Sequence, residues 1–276
     1  MLNQDRFAHV FADGHVHLHP CFDLSKVLSH SAVNVRRAAA RRRTSERIYG
    51  CLLLTESDPV NRFSELQSET GIELGNWQIR PGTIPETVVA EADGEPPFVV
   101  VAGRQIQTKE RLEVLACGCP AHFGEGDALA DVLEEGLRRA RLCIIPWGFG
   151  KWTGARGMLV RELLDSPWAC RITLGDNSGR LRFGPTPRLL DLARLKEIPI
   201  LPGSDPFPFV SHVKRIGGYG FILHGEIDPE RPELDVVRLL AGIQDQPPVY
   251  GSLQGPLAFL WNQGAIHIRN RIVSRQ

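Results

Sequence analysis

The run Phe11-Ala-Asp-Gly-His-Val-His-Leu-His-Pro20 constrains this chain more than any other stretch. Side chains alternate along a β-strand, so His15 and His17 point to one face, about 7 Å apart. By the same parity Asp13 falls on that face. Pro20 turns the chain and leaves His19 at the margin. Neutral imidazoles projecting together from a strand end can share one divalent ion. Solvated histidines at a surface strand end are the plainer alternative. The acidic neighbour and the apolar lead-in from Phe7 to Phe11 favour a site.

The 276 residues, 42% hydrophobic and 23% charged, fit a globular protein of one large α/β barrel-like domain over 1–276 or of two small domains. Lys plus Arg and Asp plus Glu number 32 each, so no global field draws the chain to nucleic acid or an anionic membrane. No apolar run reaches the ~20 residues of a membrane helix, and Met1 to Val10 lacks a signal-peptide core. A cytoplasmic protein is expected. Cys51, Cys117, Cys143 and Cys170 lie in or beside apolar strand-like runs and read as buried free thiols. The spacing of Cys117-Gly-Cys119 is that of neither a zinc knuckle nor a redox motif, so it reads as structural.

Apolar β-branched runs predict strands over Ile48–Thr55, Phe98–Ala102, Leu112–Gly118, Cys143–Trp147, Arg171–Gly175, Pro199–Leu201 and Tyr219–Leu223. Helical patterns cover Leu24–Arg43, Pro59–Glu69, Ala128–Leu142, Leu234–Gln244 and a piece opened by Thr186 and Pro187 and running to Glu197. Strands alternating with helices imply βα units and a mostly parallel sheet. Their number favours a closed, distorted seven-stranded (β/α) barrel sealed by a segment over 226–276. In such barrels the strand C-termini carry the chemistry. There the chain places His15, His17, Glu56, Lys151, Asp176 and Asp205. The loop Gly148 to Gly157 holds four glycines with Lys151 and Arg156, which suits a phosphate or carboxylate. Trp147, Arg156, Asn177 and Arg104 are the candidate substrate contacts. Glu113 has no decided direction in its strand.

Asp13-Gly14-His15-Val16-His17 resembles the first motif, Asp-x-His-x-His, of the PHP superfamily, the polymerase-and-histidinol-phosphatase barrels of metal-dependent phosphoesterases. Gly203-Ser204-Asp205 resembles that family's late metal-binding motif, and the stretch from Gly103 through Ala116 its hairpin. The departures are Glu56-Ser57 for Asp-His, Gln105 for the hairpin glutamate, and Pro146-Trp147 for a late His-Pro. The resemblance therefore implies one metal site rather than three. His15, His17 and Asp205 would hold Zn, Mn or Fe, with Glu56 or Glu113 added. It further implies hydrolysis of a phosphoester or a similar small anionic substrate. In that reading Lys151 stabilises charge, and Asp176 serves as base or outer partner. Amidohydrolase barrels open similarly and add a bridging lysine and a late aspartate, roles for Lys151 and Asp205, but neither Gly175-Asp176-Asn177 nor the neighbouring strands offer the two later strand-end histidines they use. A metal-poor barrel that binds a ligand or a partner protein is the alternative of a different class.

Overall fold

The computed structural model describes residues 6–68, 74–124, 126–257, 259–262 and 264–265, and among these two mixed β-sheets and six helices of seven residues or more carry an α/β architecture. The elements run β1 (Phe7–Val16), α1 (Leu24–Arg42), β2 (Arg47–Leu54), α2 (Arg62–Ser68), β3 (Gln78–Pro81), β4 (Thr87–Glu91) and β5 (Phe98–Val101). They continue β6 (Gly103–Gln107), β7 (Glu113–Cys117), α3 (Leu129–Arg139), β8 (Leu142–Pro146), α4 (Gly154–Leu164), β9 (Thr173–Asn177) and α5 (Arg188–Leu195). β10 (Ile200–Gly203), β11 (Tyr219–Glu226), α6 (Pro232–Ala241) and β12 (Val249–Gly251) complete the order. The seven-stranded sheet reads β12-β11-β1-β2-β5-β4-β3 and the five-stranded sheet β10-β9-β8-β7-β6. Among the described residues, no helix is long and apolar enough to cross a membrane.

Alternation along β1 and β2 splits their side chains between two apolar layers. Phe11, Leu52 and Leu54 join Leu24, Val27, Leu28 and Val35 of α1 on the outer face. Val10, Ala12, Cys51 and Leu53 face Leu115, Ile144 and Leu201 of the other sheet. On its far side that second sheet packs on α3, α4 and α5 through Leu133, Val160 and Leu190. α1 starts where Asp23 accepts from Lys26 N at 3.1 Å and ends at Arg43, whose φ of 53° leaves the helical path.

The expected closed barrel is not formed. β1 has both edges occupied: Phe7–Ala12 pairs antiparallel with β11, and the strand pairs parallel with β2 along its length. No edge remains for a ladder with β10 until the chain passes Ala12. Beyond that point the sheets meet at single backbone contacts, Asp205 N on His15 O at 2.9 Å and the Glu56–Arg104 bridge. Close approach there depends on two glycines. A Cβ on Gly203 would lie 2.4 Å from His15 N, and one on Gly14 would lie 2.8 Å from Pro202 O.

Three further expectations change. The glycine loop is shorter than read, because helix α4 already begins at Gly154. β3, β4 and β6 are strands where the sequence looked irregular or polar. All six cysteines are free, yet Cys170 is exposed in a 3-10 turn rather than buried in a strand. Of the expected sealing segment, β12 extends the seven-stranded sheet beside β11. Residues 266–276, Glu69 of the second expected helix and the first five residues lie outside the described residues.

The seam is clamped by Asp13, which is fully buried. Its Oδ1 accepts from Ser204 N at 2.7 Å and His15 N at 3.3 Å, and its Oδ2 from Gly217 N at 2.8 Å. Removing a partner from a buried amide costs about 1–3 kcal/mol each. Asp13→Ala is therefore expected to lower the unfolding free energy by about 3 kcal/mol or more, read from urea denaturation monitored by circular dichroism. A change below about 1 kcal/mol would mean that the seam is held elsewhere.

Candidate metal centre at the seam

β1 delivers His15 from its last turn of pleat, and His17 follows just past the strand end. Their Nε2 atoms lie 3.0 Å apart, and each is 3.7 Å from Asp205 Oδ1. Asp205 follows β10 with φ 43°, in the left-handed region that aspartate tolerates better than most residues. That conformation points its carboxylate back across the seam. Its other oxygen accepts from Asn177 Nδ2 at 2.9 Å, and the same amide also donates to Trp147 O at 2.8 Å. Gln105, on β6, brings Oε1 to 3.2 Å from His15 Nε2. Four elements and two sheets thus meet at one point.

The electrostatics match the geometry. Burial, the neighbouring His15, and weaker repulsion from His19 and Lys151 push His17 down to about 3, so its ring is neutral at neutral pH. Burial opposes ionisation of Asp205, but the facing His15 and His17 imidazoles and the cations Lys151 and Arg215 outweigh it and hold the carboxyl below its ordinary range. Asp13 behaves oppositely: burial lifts it to about 6 against the hydrogen bonds from Ser204, Gly217 and His15.

A pocket of about 240 Å³ opens beside the cluster, with His17, His19, Glu56, Gln105, Asp205 and Phe207 in its wall. His19 lies against Pro206 O at 2.8 Å and stacks on His17 with ring centroids 5.4 Å apart. A larger cavity of about 840 Å³, lined by Arg141, Arg171 and Lys196 among others, includes none of these residues.

The other expected site residues are placed differently. Glu56 reaches the pocket wall, but its Oε1 accepts from Arg62 N at 2.6 Å and Phe63 N at 3.3 Å, capping α2. Glu113 is ion-paired to Lys151 Nζ instead of joining the histidines. Lys151 stays near enough for its charge to act on His17 and Asp205. Asp176 is outside the cluster: Arg180 grips both its oxygens at 2.9 and 2.8 Å, and Tyr219 Oη donates to it at 3.0 Å. Asn177 spends both amide hydrogens inside the protein, so it positions Asp205. Arg104 is buried, donating to Val60 O at 2.7 Å and lying 3.6 Å from Asp58. Arg156 bonds Gly150 O at 2.9 Å and ties its own loop. Trp147 contributes its carbonyl to Asn177 rather than a ring to the pocket wall.

Two residues carry more than the sequence reading gave them. Gln105 enters the cluster, and the only sign of it was its place where a metal-bearing glutamate was expected. Asp13 leaves the histidine face, because the β1–β2 register shifts between Asp13 and Val16 and parity fails across that irregularity.

The depressed His17 value has a stability consequence. A ring kept neutral when folded, but protonated below about 6.5 when unfolded, gives stability that is present above that pH and lost as pH falls toward 3. In chelator-treated protein, His17→Gln should therefore gain on the wild type between pH 7 and pH 4, by up to about 1.4 kcal/mol per pH unit. Parallel denaturation midpoints across that range would show that His17 titrates normally.

No protein-family model matches this sequence, and no curated protein is detectably similar to it. Among solved structures, the crystal structure of PsfC from Pseudomonas syringae PB-5123 is similar in fold. The TM-score is 0.54 over 90% of this chain and 92% of that one, at 13% sequence identity. A likeness at that identity shows the fold alone, so the chemistry of the centre rests on the residues of this chain.

Proposed function

We propose that His15, His17 and Asp205 hold one divalent ion, and that the protein is a metal-dependent hydrolase of a phosphoester or a similarly small anionic substrate. The observation that carries this reading is the convergence of three ligand atoms separated by 3.0, 3.7 and 3.7 Å. Bonds of about 2.0–2.1 Å in a tetrahedron require ligand atoms ~3.3 Å apart, so a few tenths of an ångström of adjustment suffice. Two imidazoles and one carboxylate suit Zn, Mn or Fe and leave the fourth position to water, while the Gln105 carbonyl stands 3.2 Å from His15 Nε2 at the edge of the site. When bound, the ion would lower the pKa of a water molecule and polarise the scissile group.

The chain's own groups supply the rest. Asn177 fixes which Asp205 oxygen faces the histidines. Lys151, ion-paired with Glu113, adds a positive charge close enough to act on His17 and Asp205. The volume of about 240 Å³ admits a small substrate, and Phe207 and Pro206 keep one wall apolar. A second reading, a metal-poor ligand-binding protein, draws support from Glu56, whose oxygens are engaged by the α2 amides.

The two readings separate by element analysis and turnover. Chelator-stripped wild type is expected to rebind zinc or manganese, with one equivalent fewer in His15→Ala and in Asp205→Asn. Metal-stimulated hydrolysis of phosphoesters should vanish in both variants. Asn177→Ala should bind metal about 10–100-fold more weakly while retaining the ligands themselves. Equal, negligible metal in wild type and His15→Ala would remove the proposal and leave the binding protein.

A further inference from the structure

A second set of metal-ligating side chains lies at the opposite end of β1. His9 and His224 are directly paired in the antiparallel β1–β11 register, so both project from the same face with Cβ atoms about 5 Å apart. Glu46 immediately precedes β2, the strand on the other flank of β1. Its Oε2 lies 2.8 Å from His224 Nε2 and 3.3 Å from His9 Nε2, and the three ligand atoms all fall within 4.8 Å of one another. The imidazole centroids are 4.7 Å apart, tilted by 39°. His9 to His15 spans six strand residues, about 20 Å, so this cluster shares no atom with the seam centre.

We infer that His9, Glu46 and His224 form a second, surface site for a transition-metal cation of the Zn(II), Ni(II) or Cu(II) class. The separations carry the inference. Bonds of about 2.0–2.1 Å need ligand atoms ~3.3 Å apart in a tetrahedron. The His9–Glu46 separation already has that value, and His224 has to withdraw by about half an ångström. Two imidazoles with one carboxylate select these ions over Mg(II) or Ca(II), which take oxygen ligands. Side chains left 26%, 41% and 47% exposed leave the fourth position to water.

The backbone has already organised the donors. Two imidazoles stand on a strand pair whose ladder holds their Cα atoms in register, and their rings already lie 4.7 Å apart, so only side-chain torsions remain to be adjusted. The charges facing the cluster are Glu46 itself and Arg42, whose Nη2 donates to Val249 O at 3.1 Å. Arg42 opposes a cation and keeps the site modest in affinity. A bound ion would clip β11, β1 and the start of β2 together at the end remote from the seam.

The test is a zinc titration of the untagged, chelator-stripped full chain at pH 7.5 against a chromophoric chelator. His224→Ala and Glu46→Gln are each expected to lose one zinc equivalent, or to weaken that equivalent at least tenfold. Each should keep any metal that His15→Ala loses. Where circular dichroism shows His224→Ala misfolded, Glu46→Gln decides, since it keeps the shape and removes only the charge. Unchanged zinc stoichiometry and affinity in Glu46→Gln overturns the site, whatever the His15→Ala result says of the seam centre.

Discussion

Everything at the seam depends on a buried carboxylate whose hydrogen bonds go to backbone amides. Asp13 gathers three backbone amides from three places in the sequence: its own strand, the turn after β10, and the approach to β11. A carboxylate is the side chain for this task because it accepts on two oxygens and offers no competing donor. The cost is desolvation, visible in the elevation of its pKa to about 6. The return is geometric. With Ser204 N fixed to Asp13 and Asp205 N bonded to His15 O, the φ of 43° at Asp205 brings its carboxylate beside His15 and His17.

The same seam explains why the molecule stops short of a barrel. A closed barrel needs every strand paired on both edges. β1 is, by β11 and β2, but one sheet ends at β12 and β3 and the other at β10 and β6, with no ladder joining those ends among the described residues. The five-stranded sheet can then reach β1 only where β11 has diverged, through glycines at Gly14 and Gly203 that let backbone touch backbone. Ladder pairing would have placed regular side chains at this contact. Point contact instead leaves room for imidazoles, a carboxylate and a pocket.

Much of this was legible in the residues, and the failures have physical causes. The spacing of His15 and His17, and the Gly203-Ser204 approach to Asp205, carried enough pattern to bring three groups together across the chain. Parity misassigned Asp13 because it assumes an uninterrupted pleat, and β1 shifts register just there. β6 was hidden because its buried positions include Arg104, whose charge is met by the carbonyls of Val60 and Pro120 and by Asp58. A hydropathy pattern does not distinguish such a residue from a solvated one. Asp176 misled in the opposite direction. It sits at a strand end where catalytic carboxylates are sought, yet Arg180 lies one helical turn's spacing further on and takes both oxygens.

The charge balance at the centre follows from how closely its groups are packed. An isolated buried carboxylate is costly, and a histidine pair at 3.0 Å cannot carry two protons. Here His17 is driven neutral while Asp205 stays ionised, so the cluster presents lone pairs and one negative charge toward a common point. Hydrogen bonds alone would satisfy such a set equally well with one imidazolium, as buried His–Asp pairs do elsewhere. A neutral imidazole and an ionised carboxylate are also the protonation states in which both groups can ligate a cation. Asn177 adds to this arrangement, because it occupies the Asp205 oxygen turned away from the histidines and leaves the facing one to them. A divalent ion would complete this electrostatic pattern without further rearrangement of the seam.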